Sequence, residues 1–131
     1  MLDLIIKNGQ CYIDGGLKDV DVAIKDGKIQ SIGNISEKAK DIIDAKSLAV
    51  LPGCIDTQTH FREPGSTDTE DLHSGSRAAI VGGITAVFEM PNTNPPTSNK
   101  KEFQRKLDLA KNRMYCNYAF YFGATADNAN E

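Results

Sequence analysis

The sequence predicts an α/β chain in two sections, an all-β section over residues 1–52 and a strand–loop–helix section over residues 53–131. Three observations carry this. Apolar and polar residues alternate with a period of two in the first section, punctuated by the turn pairs Asn8-Gly9, Asp26-Gly27 and Gly33-Asn34. Pro52-Gly53 then breaks the pattern. Beyond it, short apolar runs alternate with helix-length amphipathic segments, the pattern of a parallel sheet joined by crossover helices.

The elements follow in order. Residues 2–7 are β-rich and end at Asn8-Gly9. Val20, Val22 and Ile24 alternate with polar or small residues, and Asp26-Gly27 supplies the positive φ angles of a two-residue hairpin leading into a return strand over 28–32. Residues 42–43 and 48–51 read as another short pair, completing a small antiparallel assembly with one apolar face. After Gly53, residues 54–59 read as a strand followed by a polar loop. Residues 69–80 read as a helix with Glu70 and Asp71 in its first turn, where the dipole favours acids, and Gly82-Gly83 at its end. Residues 85–90 are a strand in which Glu89 is the one charge, and a proline-rich loop runs from 91 to 97. Ser98 or Asn99 caps a helix reaching about Arg113, with Phe103, Leu107, Leu109, Ala110 and Met114 as its core stripe and its charges as a solvated face. Residues 115–123 form a third, aromatic-rich strand.

Composition removes several function classes. With 40% hydrophobic and 25% charged residues, the chain is globular rather than disordered. A net charge of −3 with both signs interspersed leaves no basic stripe for nucleic acid. Cys11, Cys54 and Cys116 are odd in number and widely spaced, so a disulfide framework and a structural zinc site are both disfavoured, and three buried or half-buried thiols are expected. No signal peptide is visible, and no apolar run approaches the ~20 residues of a membrane helix. The default location is the cytoplasm.

In parallel sheets the loops leaving the carboxyl ends of the strands carry the chemistry, here 58–68 and 92–97. Gln58 and His60 are two residues apart, a spacing that puts both on one face of a regular strand. A neutral imidazole suits a transition metal, whereas an amide oxygen is a weak donor. A lone His on an apolar strand is most often structural, and chemistry alone favours that reading. Arg62 can grip a carboxylate through two parallel hydrogen bonds, or pair with Glu63 or Asp68. Asn92 can donate to a carboxylate, accept from a ring N–H, or serve the turn. His73 falls on the helix surface without a spaced partner. Gly82-Gly83 lacks the spacing of a phosphate loop, and no nucleophile elbow occurs.

At these residues the chain resembles the dihydroorotases of the amidohydrolase superfamily. The resemblance runs through Leu4-Ile-Ile-Lys-Asn-Gly9, Asp26-Gly-Lys-Ile29, Leu51-Pro-Gly-Cys-Ile-Asp56, His60-Phe-Arg-Glu-Pro-Gly65, the helix end at 78–83, and Met90-Pro-Asn-Thr93. The fourth and last of these together are more specific than any single motif. Allantoinases and dihydropyrimidinases share the leading strands.

The resemblance implies a (β/α)₈ barrel with a small β-sandwich, residues 1–52 belonging to the sandwich and 53–131 to the first three strands and two helices of the barrel. It implies reversible closure of N-carbamoyl-L-aspartate to dihydroorotate in pyrimidine biosynthesis, with zinc as cofactor. His60 matches the second His of the family's metal pair, Arg62 and Asn92 the residues that hold the substrate carboxylate, and Asp56 the acid before the pair, which orients it. Where the family has its first metal His, this sequence has Gln58, which weakens zinc binding. The alternatives are a non-catalytic relative partnering aspartate carbamoyltransferase, and an allantoinase- or dihydropyrimidinase-like hydrolase. The family's oligomeric habit implies a homo-oligomer. A barrel of this type needs roughly 250 residues, so the chain reads as a truncated piece that is inactive alone and has no catalytic acid of its own.

Overall fold

A computed structural model describes residues 1–130, which divide into one compact unit ending at Pro52 and another beginning at Gly53. The first unit is all β. Its strands are β1 (Leu2–Lys7), β2 (Gln10–Ile13), β3 (Gly16–Asp19), β4 (Asp21–Lys25), β5 (Lys28–Gly33), β6 (Ala39–Asp44) and β7 (Ala49–Val50). They form two sheets, one ordered β5-β4-β1-β6 and one ordered β3-β2-β7. Leu2, Ile5, Ala23 and Ile35 form a buried cluster beside the larger sheet; Leu2 and Ile5 are three residues apart, so burial along β1 does not follow strict alternation.

The sheets are mixed rather than antiparallel. The β4–β5 hairpin forms at Asp26-Gly27, both at positive φ. β6, however, pairs parallel to β1 (Ile5 opposite Ile42), and β7 pairs parallel to β2. The two short runs expected to pair with each other therefore lie in different sheets. The β2–β3 hairpin was not legible in the pattern. Its turn, Asp14-Gly15, is again a positive-φ pair, but the flanking strands are mostly exposed and carry no clean alternation.

The second unit alternates strand and helix: β8 (Cys54–Thr59), α1 (Leu72–Val81), β9 (Ile84–Glu89), α2 (Lys100–Ala110) and β10 (Asn117–Phe120). The three strands form one parallel sheet in the order β10-β9-β8. Phe61, Leu72, Val87, Ala110, Cys116 and Phe120 make the core between sheet and helices, with Phe103, Leu107, Leu109 and Met114 packed around it. Burying each large side chain of that set is worth about 1.5–3 kcal/mol.

α1 begins three residues later than the composition suggests. Asp71 is its N-cap and closes a capping box with Ser74, so Glu70 and Asp71 precede the first turn rather than occupy it. Those hydrogen bonds from Ser74 hold the Asp71 carboxyl below the usual carboxylate range. α2 is capped by Asn99, whose side chain accepts from the Glu102 amide, and it stops at Ala110 rather than Arg113. The third strand is confined to four residues. Cys11 and Cys116 are buried free thiols, but Cys54 is exposed. Among the described residues no helix is long and apolar enough to cross a membrane.

Candidate active site at the strand ends

The loops after β8 and β9 are tied together at three points. The Met90 amide donates to the Thr59 carbonyl at 2.9 Å, the Asn94 amide donates to the Pro64 carbonyl at 3.0 Å, and His60 Nδ1 lies 2.9 Å from Asn92 Oδ1. The approach is close enough to require glycine. Gly65 sits at φ +126°, and a Cβ there would stand 3.0 Å from the Cβ of Asn94. The peptide bonds before Pro64 and Pro95 are cis.

Between these loops lies a cavity of about 120 Å³ lined by His60, Phe61, Arg62, Asn92, Thr93 and Asn94 among others. Ligand pockets start at about 300 Å³, so this one accepts a single functional group rather than a whole ring. Three binding groups meet there. The Asn92 oxygen takes the Nδ1 proton of His60, which leaves the His60 Nε2 lone pair open. Asn92 Nδ2 and the Arg62 guanidinium make no hydrogen bond or ion pair among the described residues. The expected alternatives for Arg62 do not form: Glu63 is taken by Arg113 instead.

Glu63 is the first residue that sequence reasoning missed. It is buried, and its carboxylate accepts two hydrogen bonds from Arg113, at 2.8 and 3.1 Å, and a third from the Leu72 amide at 2.9 Å. The Leu72 amide is the N-terminal end of α1, where the helix dipole suits an anion. The second is the pair Glu89–Lys106, both fully buried. Lys106 Nζ bonds the Glu89 carboxylate and the Met90 carbonyl (3.2 Å), and stands 5.4 Å from the centre of the Phe120 ring. Burial pushes the Glu89 carboxyl up to about 7 and the Lys106 ammonium down, each effect opposed by the partner's charge. Lys106 therefore does not belong to the solvated face expected of α2. A signal existed: Lys106 is three residues from Phe103 and four from Ala110, within the apolar stripe.

Asp56 Oδ1 accepts from the Gln58 amide at 3.0 Å. Gln58 is exposed and is not among the residues lining the cavity. The pairing of β8 with β9 slips between Asp56, opposite Val87, and Thr59, opposite Glu89. β8 thus carries one extra residue between these pairs, next to Gln58 and His60. His73 does have a partner, though not a metal-binding one: its Nε2 is 3.2 Å from the Tyr115 hydroxyl, with the rings edge-on. Among the described residues no three His, Cys, Asp or Glu side chains group to hold a metal ion. His60 offers one imidazole nitrogen, and these residues alone do not complete a metal centre.

A larger hollow, about 710 Å³, lies in the first unit beside Asn8, Asp21 and Asp44. Two of its carboxylates are already engaged: Asn8 donates to both Asp21 and Asp44, and Lys7 lies 3.8 Å from Asp21. The strand-end cavity, with its unpaired donors, is the stronger candidate.

The profile of the amidohydrolase family matches residues 49–129, more than half of the chain and all of the strand-end loops. The chain belongs to the amidohydrolase family. It is 42% identical to an allantoinase of Escherichia coli O1:K1 over 96% of its own length and 28% of the relative's. It is 40% identical to a dihydroorotase of Methanosarcina mazei over 97% of its length and 28% of that protein. Among solved structures, the L-hydantoinase of Arthrobacter aurescens superposes with a TM-score of 0.87 at 32% identity, over 98% of this chain and 29% of the hydantoinase. The chain thus spans between a quarter and a third of these amidohydrolases, which act on cyclic amides.

Proposed function

We propose that the protein carrying this chain hydrolyses a cyclic amide that bears a carboxylate, in the manner of a dihydroorotase, interconverting dihydroorotate and N-carbamoyl-L-aspartate. The observation that supports it is the unpaired Arg62 guanidinium in the same cavity as the His60–Asn92 pair. Dihydroorotate carries an anionic group at the ring edge. Allantoin and hydantoin rings carry none, and Arg62, which acts on the Glu89 charge without forming an ion pair with it, has nothing comparable to grip in them. Arg62 takes the carboxylate through two parallel hydrogen bonds and Asn92 Nδ2 supplies a third donor. His60, held as the Nδ1–H tautomer, keeps Nε2 directed to the site, and we assign it as this chain's contribution to a zinc ion whose other donors lie outside the described residues. The barrel expected of the second unit would bring them.

The test is a substrate panel on the complete, metal-supplemented protein: dihydroorotate, allantoin, hydantoin and dihydrouracil. Dihydroorotate should be the preferred ring by kcat/KM. Preference for allantoin would replace the reading with the allantoinase one. Turnover of none, with no metal retained, would favour a non-catalytic relative, for which Gln58 is the motivating residue.

A further inference from the structure

The two halves of the His60–Asn92 hydrogen bond come from different strands, and both strand ends are held from one helix. Lys106, in the second turn of α2, reaches the carboxylate of Glu89 and the carbonyl of Met90. Those are the last residue of β9 and its neighbour, two and three positions before Asn92. Arg113, just past the end of α2, bonds back to the Leu109 carbonyl (3.1 Å) and reaches forward to the carboxylate of Glu63, three positions after His60. Neither cation lines the cavity. Arg113 holds the residue next to Arg62, and Lys106 holds the strand end two residues before Asn92.

We propose that Lys106 and Arg113 are positioning residues, a pair of struts from one helix that fix the spacing of the two strand-end loops and so hold His60 in its Nδ1–H tautomer against Asn92. The physical argument is one of rigidity. A fully buried lysine whose ammonium bonds a carboxylate and a backbone carbonyl has little freedom left, and the strand end it holds inherits that constraint. Glu63 is fixed by both Arg113 and the Leu72 amide, so the loop of Arg62 is anchored on α1 as well as on the α2 end. Burying charges in this way is an expensive route to stability alone. Its placement, one strut per loop, suits precision of geometry. The inference rests on the reading of His60 and Asn92 as site residues, but its test does not depend on turnover.

The test uses the complete protein stripped of metal, with ring-¹⁵N histidine and His60→Gln to assign the His60 signals. The spectrum is taken at about pH 8, where an ordinary histidine of pKa ~6.5 is neutral. The parent should show a protonated Nδ1 and a bare Nε2. Lys106→Met and Arg113→Met, with unchanged circular dichroism, should each lose that single tautomer and show the mixture of a free imidazole. Lys106→Arg and Arg113→Lys should retain it at least in part. Where a Met variant does not fold, Glu89→Gln or Glu63→Gln replaces it with the same expected loss. A lower Tm with the His60 signature unmoved would make the struts merely structural and overturn the proposal, as would a parent already in mixed tautomers. If the signature behaves as stated but the panel of rings is not turned over, the functional reading falls and the struts stand.

Discussion

Asn92 Oδ1 lies 2.9 Å from Nδ1 of His60, across 32 residues of sequence, and this one contact fixes which nitrogen of the ring carries the proton. An imidazole so held presents a bare Nε2 to the cavity, the arrangement in which histidines bind metal ions. Asn92→Ala should therefore leave His60 free to rotate and change tautomer. Loss of such an orienting partner typically costs about 10–100-fold in metal affinity or activity. Titration of zinc into the metal-free complete protein checks it; an unchanged affinity would separate Asn92 from the orientation of His60.

The Glu89–Lys106 pair should respond asymmetrically to mutation. Lys106→Met alone strands a buried carboxylate and should cost about 3–5 kcal/mol, whereas the double variant Glu89→Leu/Lys106→Met should recover most of that loss. Chemical denaturation of the three proteins measures it. A double variant no more stable than the single would show that the pair contributes more than charge compensation.

That pair also predicts a pH dependence. Desolvation raises the Glu89 carboxyl from its ordinary 4.5 to about 7 in the fold. A raised carboxyl binds its proton more tightly folded than unfolded, so its contribution is present at low pH and is lost as pH rises from about 4.5 through about 7. Removing the cation opposite should accentuate the effect. The destabilisation of Lys106→Met, followed by thermal unfolding, should grow between about pH 7 and 9. A flat difference across that range would contradict it.

Gly75 lies inside α1, where replacing glycine by alanine ordinarily stabilises by about 0.5–1 kcal/mol. Here the new Cβ would stand 2.5 Å from Cδ1 of Phe61, a buried ring of the core. Gly75→Ala should instead destabilise, by about 1–3 kcal/mol, and should disturb the loop that carries His60. A higher midpoint in denaturant would show that α1 and the loop pack less closely than described.

Much of this architecture was readable from residue order, for reasons that differ by element. The β4–β5 hairpin depends on its own two turn residues, and α2 on a local cap and stripe. The parallel partners β6 and β7 are chosen by contacts with β1 and β2 that no local pattern encodes. His60, Arg62 and Asn92 were identifiable by type and by their place at strand ends, and all three line one cavity. Gln58 is exposed and outside that cavity, and the pairing of β8 with β9 shifts register at two places, which no local pattern encodes. The charged residues holding the loops were hidden for another reason. Lys106, Arg113 and Glu63 look like surface charge until the partner from a distant element is known, although Glu89, alone in an apolar strand, was a visible anomaly.

Arg62→Met is the most direct probe of the central claim, that this cavity receives a substrate carboxylate. In the complete, metal-supplemented protein, steady-state kinetics on dihydroorotate should show KM raised by about 10- to 100-fold, the worth of one or two hydrogen bonds to a charged group, with the fold and metal content unchanged. An unaltered KM, or an equal loss on an uncharged ring such as hydantoin, would mean that Arg62 does not read the carboxylate and that the assignment of substrate class is wrong.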